Sequence, residues 1–328
     1  MKTLGVLCPH KHDALSYFRG LGPLYEIQNF LIREIENTSW LEAAASDAVF
    51  MQRPYSDDHL QMAKNIKQFK KPLWIDYDDY LFKVPASNPV HKIYDRDDIQ
   101  NNMREIIQMA DVVTVSTEFL AEKLGAMNSN TVVVPNAMDL DVLDYRKEPA
   151  PPRGPIIMWR GSKTHQRDLW EYRNEILELY NKYPNTYWHF LGDEPWFLSE
   201  YMDKSRTTFW GSFFFLDYYK NIHDHIRPQL TIVPLADHDF NHAKSNIAWL
   251  EASFAGSACL GPDWQEWRRP GSMTYSGPKG FLDVASYLIE NPKVCAEQAA
   301  GSWSYIKDNL SLSEVNKKRM AILDKILF

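Results

Sequence analysis

Lys244 and Glu251 are the two side chains whose types and spacing best suit a grip on a phosphorylated ligand. They follow a β-branched run that stops at Pro234 and a polar loop, in a stretch that predicts a helix from about Lys244 toward Gly256. On such a helix, residues seven apart share a face and lie about 10 Å apart along the axis, so one can meet a phosphate while the other meets a sugar hydroxyl. The first N–H groups of a helix lack internal partners and attract anions, and a lysine there is unfavourable for the helix dipole unless an anion is bound. The plainer alternative is a surface lysine and a solvated glutamate.

A second group lies in Ile157-Met-Trp-Arg-Gly-Ser-Lys-Thr-His-Gln-Arg-Asp-Leu169. Gly161 permits close backbone approach, Ser162 and Thr164 offer hydroxyls, and Arg160 and Lys163 offer charge to a diphosphate. His165 and Asp168 fit the same site or a helix start. A third group, Trp74-Ile-Asp-Tyr-Asp-Asp-Tyr-Leu-Phe82, puts Asp76, Asp78 and Asp79 beyond a strand end. Carboxylates so close raise at least one pKa unless a cation, an arginine or hydrogen bonds compensate. They could supply a general base, bind a divalent ion, or form a structural turn network. Tyr17-Phe-Arg-Gly-Leu-Gly-Pro23 reads as a turn in which Gly20 and Gly22 allow tight approach and Arg19 offers charge to a leaving diphosphate. Cys8, His10 and His12 lack the partner spacing of a metal site. His91 and Arg53 have only their loop positions to recommend them, and Trp210-Gly-Ser212 and Leu191-Gly-Asp-Glu194 are weaker pocket candidates.

These groups sit where alternating strands and helices would place them. Strands are expected near Thr3–Leu7, Ala48–Met51, Leu73–Ile75, Val112–Val115 and Val132–Val134, then Ile156–Trp159, Tyr187–Leu191, Leu230–Pro234 and Ala258–Leu260. Ligands of open α/β sheets bind beyond the C-terminal strand ends, where most of the candidates fall. A chain of 328 residues is long enough for two cores. The proline-rich Lys147-Glu-Pro-Ala-Pro-Pro-Arg-Gly-Pro155 marks the boundary between units at 1–148 and 149–310. Residues 311–328 open with the capping-box spacing Ser311-Leu-Ser-Glu314 and predict an amphipathic helix that can pack back on either unit.

A composition of 45% apolar and 24% charged residues is that of an ordinary globular protein. The net charge of −7 disfavours a nucleic-acid binder dominated by phosphate contacts. The opening apolar run is too short for a signal peptide or a membrane span, and three cysteines without CxxC spacing suit a reducing compartment. A cytoplasmic protein without a transmembrane segment is expected. Eleven tryptophans and seventeen tyrosines do not by themselves mark a sugar platform.

The string Phe240-Asn-His-Ala-Lys-Ser-Asn246, with Leu250-Glu-Ala and Ala255-Gly256, resembles the donor helix of GT-B glycosyltransferases, particularly the retaining family 4 group and its phage and surface-polysaccharide relatives. The resemblance implies an α/β protein of two Rossmann-like domains facing each other across a cleft, moving a sugar from a nucleoside-diphosphate sugar to an acceptor hydroxyl. It implies that Lys244 meets the diphosphate and Glu251 the ribose, with Gly20, Arg160, Gly161, Ser162, His165, Ser245 and Asn246 around the donor. Asp78, Asp79, Arg19 and Lys244 are the implied catalytic set. The family's usual motif has a further glutamate eight residues before Glu251, where this chain has Ala243. No cofactor is expected to be required beyond the sugar nucleotide as co-substrate; a divalent metal is admissible but not expected. A glycan or lipid-linked sugar is the default acceptor and a hydroxymethylated DNA base the alternative. Sugar-nucleotide epimerase, phosphorylase and non-catalytic nucleotide-sugar binder are the competing activities.

Overall fold

The computed structural model describes residues 1–9, 13–36, 38–143 and 154–327. His10, His12 and nearly all of the proline-rich boundary lie outside the described residues.

The first half forms a parallel sheet from β1 (Lys2–Leu7), β2 (Phe30–Glu34), β3 (Ala48–Gln52), β4 (Leu73–Tyr77), β5 (Val112–Val115) and β6 (Thr131–Val133), in the order β2-β1-β3-β4-β5-β6. Every residue of β3, β4 and β5 is buried, as for central strands covered by helices on both faces. The second half repeats the plan with β7 (Ile156–Gly161), β8 (Tyr187–Gly192), β9 (Thr207–Trp210), β10 (Leu230–Ile232), β11 (Ala258–Pro262) and β12 (Met273–Tyr275), ordered β12-β11-β10-β7-β8-β9. All pairings in both sheets are parallel. Both sheets therefore bring their loop-bearing C-terminal strand ends to one side.

The last helix, Leu312–Leu327, lies against the first sheet's unit: Asn316 Nδ2 donates to the Pro23 carbonyl at 2.9 Å and Lys325 Nζ to Asn130 Oδ1 at 2.9 Å. Backbone bonds from Met138 N to Leu310 O and from Leu312 N to Met138 O fix its start.

Two expected loops are different in form. Residues 17–23 are two short helices, Ala14–Arg19 and Leu21–Tyr25, which join at Gly20. Asp13 caps the first by accepting from Ser16 N at 2.9 Å. The stretch after Pro234 also breaks. A single turn, Asp239–His242, capped by the His238 side chain, is followed by an irregular step, and the continuous helix begins only at Ile247 with Asn246 as N-cap. Lys244 therefore stands before that helix, and it shares no helical face with Glu251.

The segment 239–246 crosses from the second half into the first. Phe240 and Ala243 are buried in the core cluster of the first half, among residues of β3, β4 and β5 and the helices that cover them. Thr117 Oγ1 donates to the Ala243 carbonyl at 3.2 Å, and Asn136 Nδ2 to Ser245 Oγ at 2.8 Å. Ala243 is fully buried. A glutamate side chain there would need to push its charge into an apolar core, which explains the departure at this position.

Candidate functional site

Two adjoining cavities lie between the sheets' C-terminal ends, of about 170 and 450 Å³, sharing Arg160 and His165. The smaller is lined by Asp78 and Asp79 from the loop after β4 and by Lys244 and Ser245 from the crossing segment. The larger is lined by Gly161 at the end of β7 and Ser162 beyond it, Gly192 at the end of β8, Phe213 and Phe214 after β9, and Glu251. Asp13 and Ala14 close it from the first half.

Arg53 organises the carboxylate side. It follows β3 with a left-handed backbone (φ 46°), its Nε donates to Asp78 Oδ1, and its Nη2 donates to Asp79 Oδ2 at 2.6 Å. One planar guanidinium thus holds two neighbouring acids, a geometry a lysine cannot supply. Lys244 Nζ reaches Asp79 Oδ1 at 3.4 Å, tying the two halves together. Burial pushes Asp79 up, but Lys244 and Arg53 override it and bring the carboxyl down to about 2. Asp78 is pushed up by burial and by its neighbour Asp79 in spite of Arg53. The two acids are therefore driven apart in acidity, and Asp78 is the stronger base of the pair.

Glu251 is buried, and its Oε2 accepts from Tyr218 OH at 3.0 Å. Arg160 Nε lies 2.8 Å from the same oxygen but off its N–H direction, an ion pair rather than a directed hydrogen bond. Burial raises the Glu251 pKa and Arg160 opposes it. Both contacts fall on Oε2, so Oε1 has no partner among the described residues and is the atom available to a ligand.

His165 Nδ1 pairs with Asp168 Oδ2 at 3.2 Å, while Asp168 Oδ1 accepts from Asn241 Nδ2 at 2.6 Å and from Ala236 N at 3.2 Å. Burial and then the charge of Lys244 lower the imidazole's pKa, so His165 is neutral near pH 7. The Asp168 bonds fix the ring between the two cavities and tether the crossing segment to the start of the second half.

Several expected positions are elsewhere. Arg19 does not face the cleft: it is 2% exposed, with Nε and Nη2 on Asp76 at 3.1 and 2.6 Å and Nη1 on the Val134 carbonyl. Asp76 is consumed by that fork and by Thr114 Oγ1 at 2.6 Å, so the triple acid cluster reduces to Asp78 and Asp79. Gly20 is a packing glycine, since an added Cβ would lie 2.8 Å from both Cys8 Sγ and Gln52 Oε1. Asn246 turns away from both cavities toward another cavity. His91 bonds the Val84 carbonyl at 2.7 Å, clear of the two cavities. The three cysteines are buried free thiols, and no cluster able to hold a metal ion occurs among the described residues.

The pairing of Arg53 with acids 25 residues later had no sequence signal beyond its place after a strand. Tyr218 and Phe213 belong to an aromatic run that reads as core. Gly192 has a sharper role: at φ 102° it faces Gly161 across the β7–β8 pair, and an added Cβ would stand 2.1 Å from the Gly161 carbonyl oxygen. Gly192→Ala is expected to destabilise the fold by about 1–3 kcal/mol, read from the denaturant midpoint. An unchanged midpoint would show that the two strand ends are free to separate.

Two parallel-sheet α/β domains with their strand ends facing across a cleft are the GT-B architecture. Among solved structures, the chain resembles HepE from Anabaena in complex with UDP-glucose, at 11% identity over 99% of this chain and 100% of that one, with a TM-score of 0.70. It also resembles a glycosyltransferase from Rickettsia africae, at 12% identity over 99% and 98% of the two chains and a TM-score of 0.68. The pneumococcal O-GlcNAc transferase GtfA in complex with UDP and GlcNAc is similar at 11% identity over 86% of this chain and 57% of that one, TM-score 0.61. No family model and no curated protein matches the chain. Among the described residues no helix is long and apolar enough to cross a membrane.

Proposed function

We propose that the protein transfers a glycosyl group from a uridine-diphosphate sugar to an acceptor hydroxyl, with 149–310 holding the donor and 1–148 the acceptor. The observation that carries this reading is the pair of groups at the junction of the two cavities: Lys244 in the smaller, and Glu251 with an unused Oε1 in the larger. A lysine for a diphosphate beside a carboxylate for two ribose hydroxyls is the donor set a sugar nucleotide needs. The complexes of HepE with UDP-glucose and of GtfA with UDP and GlcNAc support the choice of nucleotide. A DNA acceptor finds no support in these likenesses, and a glycan hydroxyl is the acceptor class retained. Three buried free thiols suit a cytoplasmic setting.

In this reading the bond from the sugar's anomeric carbon to the diphosphate breaks, and charge accumulates on the departing phosphate, where Lys244 stabilises it. The acceptor oxygen forms the new bond, and its proton passes to Asp78, the more basic of the two acids. Asp79 serves as the resting partner of Lys244. The narrow junction between the halves limits water and so favours transfer over hydrolysis.

UDP at a hundred times its dissociation constant is expected to stabilise the protein by about 2.7 kcal/mol, visible as a raised melting temperature. Glu251→Gln keeps the shape but forfeits charge-assisted bonds, and is expected to weaken UDP by about 1.5–3 kcal/mol. A protein whose melting is indifferent to UDP and to UDP-glucose would sink the reading.

A further inference from the structure

Behind the wall that carries Lys244 lies a separate cavity of about 530 Å³ between the two halves. The wall is one chain thick. Lys244, Ser245 and Ile247 face the smaller cleft cavity, whereas Asn246 between them lines the rear one; likewise Trp267 faces the cleft and Gln265 and Glu266 the rear.

The rear cavity is rich in unspent hydrogen-bonding capacity. Asn246 is 4% exposed, and its Nδ2 makes a 3.4 Å bond to the Glu266 carbonyl while its Oδ1 has no partner among the described residues. At the exposed mouth, Asn309 uses Nδ2 on the Tyr305 carbonyl, and its Oδ1 and the Gln265 amide face solvent, from which a ligand could take them. Glu266 is buried with one oxygen on Arg269 Nη2 at 2.5 Å. Burial pushes its carboxyl up to about 7, while the adjacent Arg269 guanidinium favours the charged form with which it pairs.

Charge in the lining cancels. Glu266 pairs with Arg269 and Glu314 with Lys317, and the remaining lining charges are one acid, Glu118, and one base, Lys318. With all six groups ionised, the formal charges of the lining sum to zero, so no excess of one sign marks the cavity for an anion or a cation. Amides, a buried carboxyl and the Tyr305 ring, in a volume within the ordinary range for small-molecule sites, suit a neutral ring compound rich in hydroxyls.

The cavity also touches what holds the cleft together. Ser116, on its lining, donates from Oγ to the Asp78 carbonyl at 3.1 Å, and Asn246 adjoins Ser245, which bonds Asn136. An occupant would contact both halves and favour the arrangement in which Lys244 meets Asp79.

We propose that this rear cavity binds a neutral mono- or disaccharide, and that its occupancy tightens nucleotide binding across the shared wall. The saccharide site does not depend on the glycosyl-transfer reading; the coupling rests on UDP occupying the cleft.

The test is calorimetric titration of the full chain with glucose, galactose, N-acetylglucosamine and maltose, alone and with saturating UDP, in wild type, Gln265→Trp and Asn309→Trp. The two substitutions block the cavity from exposed lining positions outside the cleft, and matched melting curves check that each variant folds. One of these sugars is expected to bind with one-to-one stoichiometry and to weaken at least about tenfold in either variant. UDP titrated alone is expected to bind the variants as it binds wild type. In wild type the saturating sugar is expected to tighten UDP at least about fivefold, and UDP to tighten the sugar by the same factor. Absence of binding by all four sugars at millimolar concentration would overturn the site, as would sugar binding indifferent to both variants, which would put the sugar in the cleft. Sugar binding without mutual tightening would overturn the coupling alone. Failure of UDP itself to bind would instead fall on the proposed donor site.

Discussion

Lys244→Ala is expected to lower turnover of a sugar nucleotide by roughly two to three powers of ten, about 2.7–4 kcal/mol of transition-state stabilisation. The charge that this lysine meets grows as the diphosphate departs, so the loss falls on kcat more than on KM. Folding is expected to change little. Asp79 keeps Arg53 as its partner, and the anchoring of the crossing segment by Phe240, Thr117 and Asn136 does not involve the ammonium. Single-turnover kinetics with UDP-glucose, or whichever donor shifts the melting curve, together with product analysis, measure the effect. A variant with wild-type kcat would remove Lys244 from the chemistry. A variant whose melting temperature collapses would make it a structural strut.

Asp76→Ala is expected to be the most damaging substitution to stability. Asp76 is the acid bound by the buried Arg19, and the 2% exposed Arg319 of the last helix lies close enough that Arg19 and Asp76 both act on its charge. Burial, with Arg19 adding to it, already brings Arg319 down to about 9 despite the opposing pull of Asp76. Removing the carboxylate leaves two buried cations with no counter-charge from it, a defect of about 3–5 kcal/mol. Denaturant unfolding of the variant measures this. A loss below about 1 kcal/mol would mean that water reaches the cluster.

Arg19 illustrates what the linear sequence conceals. Its position after the first strand and beside two glycines is compatible with a phosphate contact or with a buried strut, and only the place of Asp76, 57 residues on, decides between them. Arg53 is the converse case. It stands after a strand with nothing nearby to recommend it, yet the register of β3 on β4 delivers it to Asp78 and Asp79.

Strands were legible where an apolar, β-branched run is uninterrupted, the half-buried edge strand β6 included. β2, β9 and β12 escaped notice, and all three are sheet edges, where half-buried residues such as Arg33 and Glu34 dilute the apolar run. The helix carrying Glu251 was legible, but its start was not. Between Pro234 and Ile247 no glycine or proline interrupts the chain, so the break comes from the His238 cap and from Phe240 seeking the opposite core. Residue type and spacing together suggested the Lys244 and Glu251 pair; the two side chains line adjoining cavities, but the helical spacing does not apply.

The embedding of Phe240 gives the cleft a mechanical character. A ring rooted in one half and buried at 4% exposure in the other acts as a peg in a socket. Parting the halves fully would draw that peg into water at a cost of about 1.5–3 kcal/mol, before any polar contact is counted. By itself this contribution lowers the population of the gaping form by roughly one to two powers of ten, and small ligands are left to enter by the cavity mouths while the jaws stay engaged.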